Sequence, residues 1–301
     1  MSTMVRNRTT TEDDITAEVV RRIEKTEDPR LREIMLSLVR HLHAFVKDVQ
    51  LNEKEWWQGI QFLTRAGHMC SDKRQEFILL SDTLGVSMVV DLISNRKREG
   101  ATESTVFGPF HREGAPEMPL GANIAPHDPN GMPTIVSGRV LGLEGEPIAG
   151  ALLDVWQTDS SGKYDAQYPD LEEMHMRGKF RTDADGRYWF RTTRPLQYPI
   201  PADGPVGQML EATGRHPWRP AHIHFVVSAD GYEPVTTHIF DSVDNYLDSD
   251  TVFGVKDSLI TTFEKHETVD EDSKRFHIDP PFCTTYWEFV LQKPLVANGK
   301  R

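Results

Sequence analysis

The sequence contains little cysteine and no long apolar run, and each shortage removes a class of protein. Only Cys70 and Cys283 are present in 301 residues, so we do not expect a disulfide framework. No stretch approaches the roughly 20 apolar residues of a membrane-spanning helix, and the N-terminus lacks the apolar run of a secretory signal. We therefore expect a cytoplasmic protein, and its 38% of hydrophobic residues is enough to build a core.

Clustered positive charge is also missing. The formal net charge is −12, and no block of lysine or arginine offsets it. Because such a chain repels phosphate backbones, nucleic acid is not an expected partner. A small molecule is the expected partner, and an anionic one would need local positive charge, from a metal ion or from an arginine in a cleft.

Proline is nearly missing from the first hundred residues, where only Pro29 of the 19 prolines occurs. In this region the apolar residues from Leu31 to Val49 recur at helical spacing and form one continuous stripe. Rougher helical periodicity is found at Ile15 to Ile23, Trp56 to Leu63 and Phe77 to Ile93. The pattern predicts a helical N-terminal part.

After Gly100 the composition changes, because proline and glycine become frequent and short β-rich runs alternate with turn signals such as Glu144-Gly145 and Asp185-Gly186. The predicted strands are Thr134 to Leu141, Ala151 to Gln157, Tyr188 to Thr192, Ala221 to Val227, Val235 to Phe240 and Tyr286 to Leu291. We predict an α+β, mainly β, chain. Residues 1–100 form its helical N-terminal region, and residues 101–301 form an antiparallel β-sandwich.

Two histidines in the predicted strand Ala221 to Val227 are candidate metal ligands. His222 and His224 are two residues apart, so the alternation of side chains along a strand points them to the same face. Ile223 and Phe225 face the opposite side and can anchor the strand in the core. Two imidazoles on a rigid strand suit a chelate, but two ordinary strand histidines would give the same pattern.

Two tyrosines lie in segments that also favour a site. Tyr198 is followed by Pro199-Ile200-Pro201, and each proline holds the residue before it in an extended conformation. Tyr164 lies in a polar loop, Ser161 to Asp165, directly after a predicted strand, and loops on rigid sheets commonly carry function. Spacing alone does not separate a metal ligand from a packing residue at either position.

Four short motifs follow one another along the chain. They are Asp154-Val155-Trp156-Gln157, Gly162-Lys163-Tyr164, Tyr198-Pro199-Ile200-Pro201 and Arg219-Pro220-Ala221-His222-Ile223-His224. Their order and spacing resemble those of the intradiol ring-cleavage dioxygenases, and the likeness covers nearly the whole chain. The resemblance implies a ferric ion as cofactor. It also implies four ligands, Tyr164, Tyr198, His222 and His224, and a catalytic arginine, Arg219.

Two further segments, Gly100 to His111 and Thr237 to Phe240, look like the hydroxyquinol branch of this family. Enzymes of the catechol branch typically have glutamine where this chain has His238. The resemblance implies benzene-1,2,4-triol (hydroxyquinol) and O2 as substrates, with catechol as the alternative diol. It also implies a homodimer built around the N-terminal helices, with a phospholipid site between them. Periodicity itself shows only an apolar face.

The implied ligand set has a chemical rationale. Two phenolates and two neutral imidazoles form a hard ligand set of net negative charge, which suits Fe(III) better than Zn(II) or Fe(II). By resemblance Tyr198 leaves the metal on substrate binding and accepts a substrate proton, and the ring opens to 3-hydroxy-cis,cis-muconate or its tautomer maleylacetate. Arg219, three residues before His222, is expected to stabilise negative charge in the ring, and a surface ion pair is the alternative. His238 is expected to hydrogen-bond an oxygen intermediate or to hold Arg219, and a core histidine is an equal alternative.

Matching positions also imply the walls of a substrate pocket, which are largely apolar, as a flat ring requires. They are Leu79, Asp82, Val106, Gly108, Pro109, Phe110, Ile200, Pro201 and Val252. Asp82 is the polar exception. Our hypothesis is that its carboxylate receives the third hydroxyl of hydroxyquinol, and the alternative is an aspartate in a helix turn that faces solvent.

Two other classes of protein share parts of the pattern. The cupins also carry His-x-His on a strand, but their pattern wants a glutamate shortly after the second histidine, and Phe225 to Ala229 contain none. The segments Gly138 to Leu141, Glu146 to Ala151 and Asp183 to Tyr188 look like metal-free transthyretin-like binding modules. The colour of the purified protein distinguishes a ferric enzyme from a metal-free module. Charge transfer from tyrosinate to ferric iron would make the enzyme red-brown, whereas the module would be colourless.

Overall fold

The computed structural model describes residues 10–71, 74–168, 171 and 174–294. Between Arg65 and Ala66 the chain divides into two compact units. In the described residues the first unit is helical, and the second contains the strands. The α-helices are α1 (Glu12–Ile23), α2 (Pro29–Asp48), α3 (Glu53–Met69), α4 (Glu76–Thr83), α5 (Val86–Ser94), α6 (Pro205–Ala212) and α7 (Glu271–Phe276).

The first two helices begin where the local sequence can satisfy free backbone N–H groups. The Thr11 hydroxyl accepts from the Asp14 N–H, and the Asp14 carboxylate accepts from the Thr11 N–H, which is a capping box at the start of α1. Asp28 caps α2, and Pro29 takes its first position, where a proline costs no hydrogen bond. The predicted periodic stretches therefore have capped starts.

The stretch from Phe77 to Ile93 is periodic in sequence but forms two helices, α4 and α5. Gly85 lies between them with φ +74°, a left-handed conformation that glycine adopts without a steric penalty. No single described helix is long and apolar enough to cross a membrane, and α4 and α5 meet that criterion only together, with a 78° bend between them.

The strands form two main sheets and a short ribbon. The strands are β1 (Pro133–Gly142), β2 (Leu152–Trp156), β3 (Arg177–Arg181), β4 (Arg187–Thr193), β5 (Tyr198–Pro199), β6 (Trp218–Arg219), β7 (His222–Ser228), β8 (Val235–Asp241), β9 (Ile260–Thr261), β10 (Glu264–His266) and β11 (Phe282–Leu291). One sheet has the order β10-β11-β1-β4, the other has the order β3-β2-β7-β8-β9, and β5 pairs with β6.

Side chains from both sheets meet in one buried apolar core. Members from the first sheet include Val136, Val140, Phe190 and Phe289, and members from the second include Leu153, Phe225, Val227 and Ile239. The prediction of a helical N-terminal part followed by a β-sandwich is confirmed. The sheets are mixed rather than purely antiparallel, since β1 pairs in parallel with β11 and β8 with β9.

Candidate metal centre

The centre is built on β7, which lies inside its sheet between β2 and β8. His222 and His224 lie on the same face of the strand, and their Nε2 atoms are 3.1 Å apart. Ile223 and Phe225 are fully buried in the sandwich core on the other face. The alternation predicted from the sequence therefore gives a pair of rigidly supported imidazoles.

The two predicted tyrosines reach the same point from different segments. Tyr198 lies on β5, and Tyr164 directly precedes a 3-10 turn at Asp165–Gln167. The Tyr164 hydroxyl oxygen is 2.9 Å from that of Tyr198 and 2.8 Å from His224 Nε2. We call Tyr164, Tyr198, His222 and His224 the four-donor cluster, and all four side chains are buried.

The spacing within the four-donor cluster fits one metal ion. Neighbouring ligand atoms held about 2.1 Å from one ion stand roughly 3 Å apart, and the donor atoms of the cluster follow one another at 2.8, 2.9 and 3.1 Å. The donor set therefore fits a buried cation.

The two histidines are held in the neutral form that a metal ligand requires. Burial lowers the pKa of His222 well below its usual value, and the nearby Arg219 charge lowers it further. Burial also lowers the pKa of His224, together with the neighbouring histidines. His222 Nδ1 lies 2.7 Å from the carbonyl oxygen of Pro220 and donates to it, which leaves the lone pair of Nε2 directed at the cluster.

The tyrosines are protonated without a cation. Burial raises the pKa of Tyr164 well above its usual value, and the adjacent Tyr198 raises it further. Burial also raises the pKa of Tyr198, whereas the positive charge of Arg219 lowers it. A strongly charged ion would be needed to ionise both phenols near neutral pH.

Arg219 lies beside the cluster on β6, whose residues pair with β5 so that Arg219 stands opposite Tyr198. Its Nη1 atom is 3.1 Å from His222 Nε2 and 3.5 Å from the Tyr198 hydroxyl. Burial works to lower the pKa of Arg219, but the pKa is raised overall, chiefly by the charge of Asp250 and its hydrogen bonds to the guanidinium. Arg219 is therefore a permanent cation at the edge of the centre.

His238 lies opposite His224 in the register of β7 and β8. Its ring stacks on His222 with centroids 4.6 Å apart and contacts His224 edge-on at 4.0 Å. The three histidines offer ring nitrogens within 4.8 Å of one another and could also hold a metal ion. Among the described residues no hydrogen bond joins His238 to Arg219. Burial lowers the pKa of His238 well below its usual value, and a hydrogen bond to the Val106 backbone acts against that shift.

The predicted pocket walls line two cavities. Leu79, Pro109, Phe110, Ile200 and Pro201 line one of about 400 Å³. Asp82, Val106 and Gly108 line another of about 320 Å³. Val252 lines neither cavity and packs in a buried apolar cluster with Leu79, Val106 and Ile200.

Asp82, the polar wall residue, is buried near the end of α4 rather than facing solvent. Burial raises the pKa of its carboxyl group, whereas a hydrogen bond from Ser87 and the charge of Arg219 act in the opposite direction. The solvent-facing alternative is therefore wrong, and Asp82 lies within electrostatic range of the arginine at the centre.

The cluster is also supported by contacts that the sequence alone does not predict. The Trp156 ring stacks on His224 with centroids 4.6 Å apart, and the Phe110 ring stacks on Tyr164 at 4.7 Å. Asp165, the residue after Tyr164, accepts from the buried Arg177 Nε at 2.8 Å. Trp156 belongs to a motif that the resemblance uses, and Phe110 is one of the predicted pocket walls. Arg177 had no signal, because no local pattern connects it to Asp165, 12 residues earlier.

Comparisons with known proteins agree with this geometry. Family models described as Dioxygenase and as Catechol dioxygenase N terminus match residues 106–293 and 28–102. A 6-chlorohydroxyquinol 1,2-dioxygenase of Cupriavidus pinatubonensis is 55% identical over 82% of this chain and 89% of that protein. A hydroxyquinol 1,2-dioxygenase of Rhizobium sp. is 50% identical over 91% of this chain and 93% of that protein. The chain belongs to the intradiol ring-cleavage dioxygenase family.

A solved structure gives the same result for the fold of this intradiol dioxygenase. Hydroxyquinol 1,2-dioxygenase from Pseudomonas putida superposes with a TM-score of 0.89 at 51% sequence identity. The match covers 94% of this chain and 99% of that one. The resemblance that the four motifs predicted is therefore confirmed at the level of the family and of the fold.

Gly108 tests how closely this intradiol dioxygenase packs around the four-donor cluster. Its φ is +78°, and a Cβ there would lie 3.2 Å from His224 Cε1. We expect Gly108→Ala to cost about 1–2 kcal/mol of stability through left-handed strain. We also expect it to weaken iron binding by about tenfold, because the ligand ring must move. Thermal unfolding and iron retention against a chelator measure the two effects.

Gly145 provides the matched control for this prediction. Its φ is +81°, but a Cβ there would have no atom within 4 Å. Gly145→Ala should therefore show the loss of stability alone, with unchanged iron retention. Equal iron retention in both variants would contradict a close packing of Gly108 against His224.

Proposed function

We propose that this chain cleaves hydroxyquinol with O2 between two neighbouring hydroxyl-bearing carbons, giving 3-hydroxy-cis,cis-muconate or its tautomer maleylacetate. The observation that carries the proposal is the buried four-donor cluster, whose donor atoms follow one another at 2.8–3.1 Å. It occurs in a chain that is 50% and 51% identical to proteins named hydroxyquinol 1,2-dioxygenase. Aromatic diols are the natural substrate class of such a site.

We assign Fe(III) to the four-donor cluster, with Tyr164, Tyr198, His222 and His224 as its ligands. Two phenolates with two neutral imidazoles favour a hard trivalent ion. The burial that raises the pKa of both tyrosines supports this assignment, because a weakly charged cation would not offset it. When bound, a ferric ion withdraws electron density from a chelated diol and so makes a ring carbon reactive towards O2.

Tyr198 is proposed as the ligand that accepts a proton from the substrate. Its phenol lies beside Arg219 on a two-residue strand, whereas Tyr164 is held by more contacts. The Tyr164 N–H donates to the Gln167 side chain at 2.9 Å, and its ring stacks on Phe110. The raised pKa of Tyr198 makes its released phenolate an effective base.

Arg219 and His238 are proposed as the other catalytic residues. Arg219 presents a buried guanidinium beside the cluster, where it would stabilise negative charge that develops in the ring. The buried His238 ring contacts both His222 and His224, and one of its nitrogens would hydrogen-bond an oxygen of the bound substrate or of the product.

The pocket is proposed to hold the ring between apolar walls and to read the third hydroxyl. The nine predicted wall residues are mostly apolar and lie along the two cavities and in the cluster around Val252. Asp82 would accept the hydrogen bond of the third hydroxyl, because its buried carboxylate needs donors.

We further propose that residues 1–100 serve dimerisation and that residues 101–301 carry the catalytic site. Apolar side chains along α2 are about half exposed in the single chain, namely Leu31, Ile34, Leu38, Leu42 and Phe45. A second copy of the chain, with a phospholipid acyl chain between the two copies, would cover this surface. Light scattering of the purified protein tests the dimer, and a monomeric mass would contradict it.

A cytoplasmic location stays a prediction.

The proposed function is tested by product analysis. Iron-loaded protein is incubated in air with hydroxyquinol and, separately, with catechol, and O2 uptake is recorded while products are identified by mass spectrometry. We expect maleylacetate from hydroxyquinol at the higher kcat/KM and no uptake by chelator-treated protein. Preference for catechol, with cis,cis-muconate as product, would move the chain to the catechol branch. Absence of O2 uptake with both diols would contradict ring cleavage.

A further inference from the structure

The guanidinium of Arg219 is held by one carboxylate that lies outside the four-donor cluster. Asp250 Oδ1 accepts from Arg219 Nε at 3.1 Å, and Asp250 Oδ2 accepts from Nη2 at 3.2 Å. Both side chains are buried. A bidentate ion pair of this kind fixes the plane of the guanidinium as well as its position.

The pairing occupies one edge of the guanidinium and leaves the other edge for the site. Nη1, which Asp250 does not contact, lies 3.1 Å from His222 Nε2 and 3.5 Å from the Tyr198 hydroxyl. Rotation of the guanidinium would take these donors away from the cluster. The carboxylate of Asp250 therefore sets the direction in which the remaining N–H groups of Arg219 point.

The carboxylate is itself fixed by its own loop. Asp250 Oδ1 accepts from the Val252 N–H at 3.3 Å, and Oδ2 accepts from the Gly254 N–H at 3.0 Å. The Thr105 hydroxyl donates to the Gly254 carbonyl at 2.6 Å and ties the loop to another segment. A Cβ at Gly254 would lie 3.0 Å from Arg219 Nη2, so glycine lets the backbone come close to the guanidinium.

We propose that Asp250 is a positioning residue for ring cleavage, which aims Arg219 at the place where the ring develops negative charge and does not itself touch the substrate. The inference rests on the proposed function, within which it gives a role to a residue that the four motifs leave out. In physical terms, the guanidinium stabilises the developing negative charge only while both oxygens of the Asp250 carboxylate hold it in place.

A purely structural role for the pair is the competing explanation, and a second buried pair provides the control. Arg194 Nε donates to Asp241 Oδ2 at 2.7 Å, and Asp241 is as deeply buried as Asp250. Asp250→Asn and Asp241→Asn each remove one buried charge and keep the shape of the side chain. Both variants should lose stability, but only Asp250→Asn should change the chemistry.

Kinetics give the first readout. We expect Asp250→Asn to lower kcat for hydroxyquinol at least about tenfold with a smaller change in KM, and Asp241→Asn to change kcat less than about twofold. In an Arg219→Gln background, Asp250→Asn should add less than about a twofold loss, because Asp250 acts through the guanidinium. An undiminished loss in that background, or equal losses in the two asparagine variants, would overturn the proposal.

The colour of the iron-loaded protein gives a readout that does not depend on turnover. The guanidinium stabilises the Tyr198 phenolate, so loosening it should shift the tyrosinate-to-iron absorption band to longer wavelength in Asp250→Asn and leave it in place in Asp241→Asn. An unshifted band in both variants would count against the positioning role. If the wild-type protein failed to cleave hydroxyquinol, the proposed function would fall, and the band would still test how Asp250 holds Arg219.

Discussion

Replacing Tyr164 by phenylalanine is expected to weaken iron binding by about 10²- to 10³-fold. Binding free energies of about 10–16 kcal/mol for four-ligand zinc sites divide into about 2.5–4 kcal/mol for each ligand, and each 1.4 kcal/mol corresponds to about tenfold in affinity. The substitution removes only the hydroxyl that lies 2.8 Å from His224 Nε2 and 2.9 Å from that of Tyr198. The rate of hydroxyquinol cleavage should fall in proportion to the loss of bound iron.

Tyr188→Phe is the matched control for this prediction. The Tyr188 side chain is as buried as that of Tyr164, and burial likewise raises the pKa of its phenol well above the usual value. Its hydroxyl donates to the Trp287 carbonyl at 3.0 Å, far from any proposed ligand. Iron content and the charge-transfer band should change in Tyr164→Phe alone, and an unchanged band there would remove Tyr164 from the ligand set.

The histidine pair could be predicted from the sequence because its geometry is local. Side chains two residues apart on a strand share a face whatever the rest of the fold does, so His222 and His224 needed only the prediction of β7. The tyrosines are different. Tyr164 and Tyr198 reach the histidines from a turn and from a two-residue strand, and only the resemblance to a family gave them a common role.

Long-range partners explain most of what the sequence did not predict. Asp250 lies 31 residues after Arg219, on a loop without periodicity, so no local pattern connects the two side chains. Asp165 and Arg177 meet across a loop in the same way. The parallel pairing of β1 with β11 joins the first and the last strand in the sequence. Hydrophobic alternation predicts which face of a strand is buried, but it does not predict which strands lie beside it.

The short strands and helices were missed for another reason. β5, β6 and β9 are two residues long, too short for alternation to be visible, although β5 and β6 place Tyr198 opposite Arg219. Helix α6 contains Gly207, where a Cβ would lie 2.0 Å from the Ala202 carbonyl oxygen, so close packing rather than helix propensity sets its sequence. Tertiary contacts determine these elements.

Replacing Asp82 by alanine is expected to change substrate preference by about 10- to 100-fold, because a hydrogen bond to a charged group contributes about 1.5–3 kcal/mol. The carboxylate is buried in the cavity lined by Val106 and Gly108, and Arg219 acts to keep it ionised. Loss of this acceptor should lower kcat/KM for hydroxyquinol and leave kcat/KM for catechol nearly unchanged, since catechol lacks the third hydroxyl.

Asp91→Ala separates this effect from the mere loss of a buried carboxylate. Asp91 lines the same cavity from α5, and its oxygens already accept from Ser104 at 2.9 Å and from Asn95 at 2.8 Å. We therefore expect Asp91→Ala to lower the thermal stability and to leave the ratio of kcat/KM for hydroxyquinol to that for catechol unchanged. If Asp82→Ala also left that ratio unchanged, the third hydroxyl would have to be recognised elsewhere. His238, whose buried ring contacts both His222 and His224, would be the next residue to substitute.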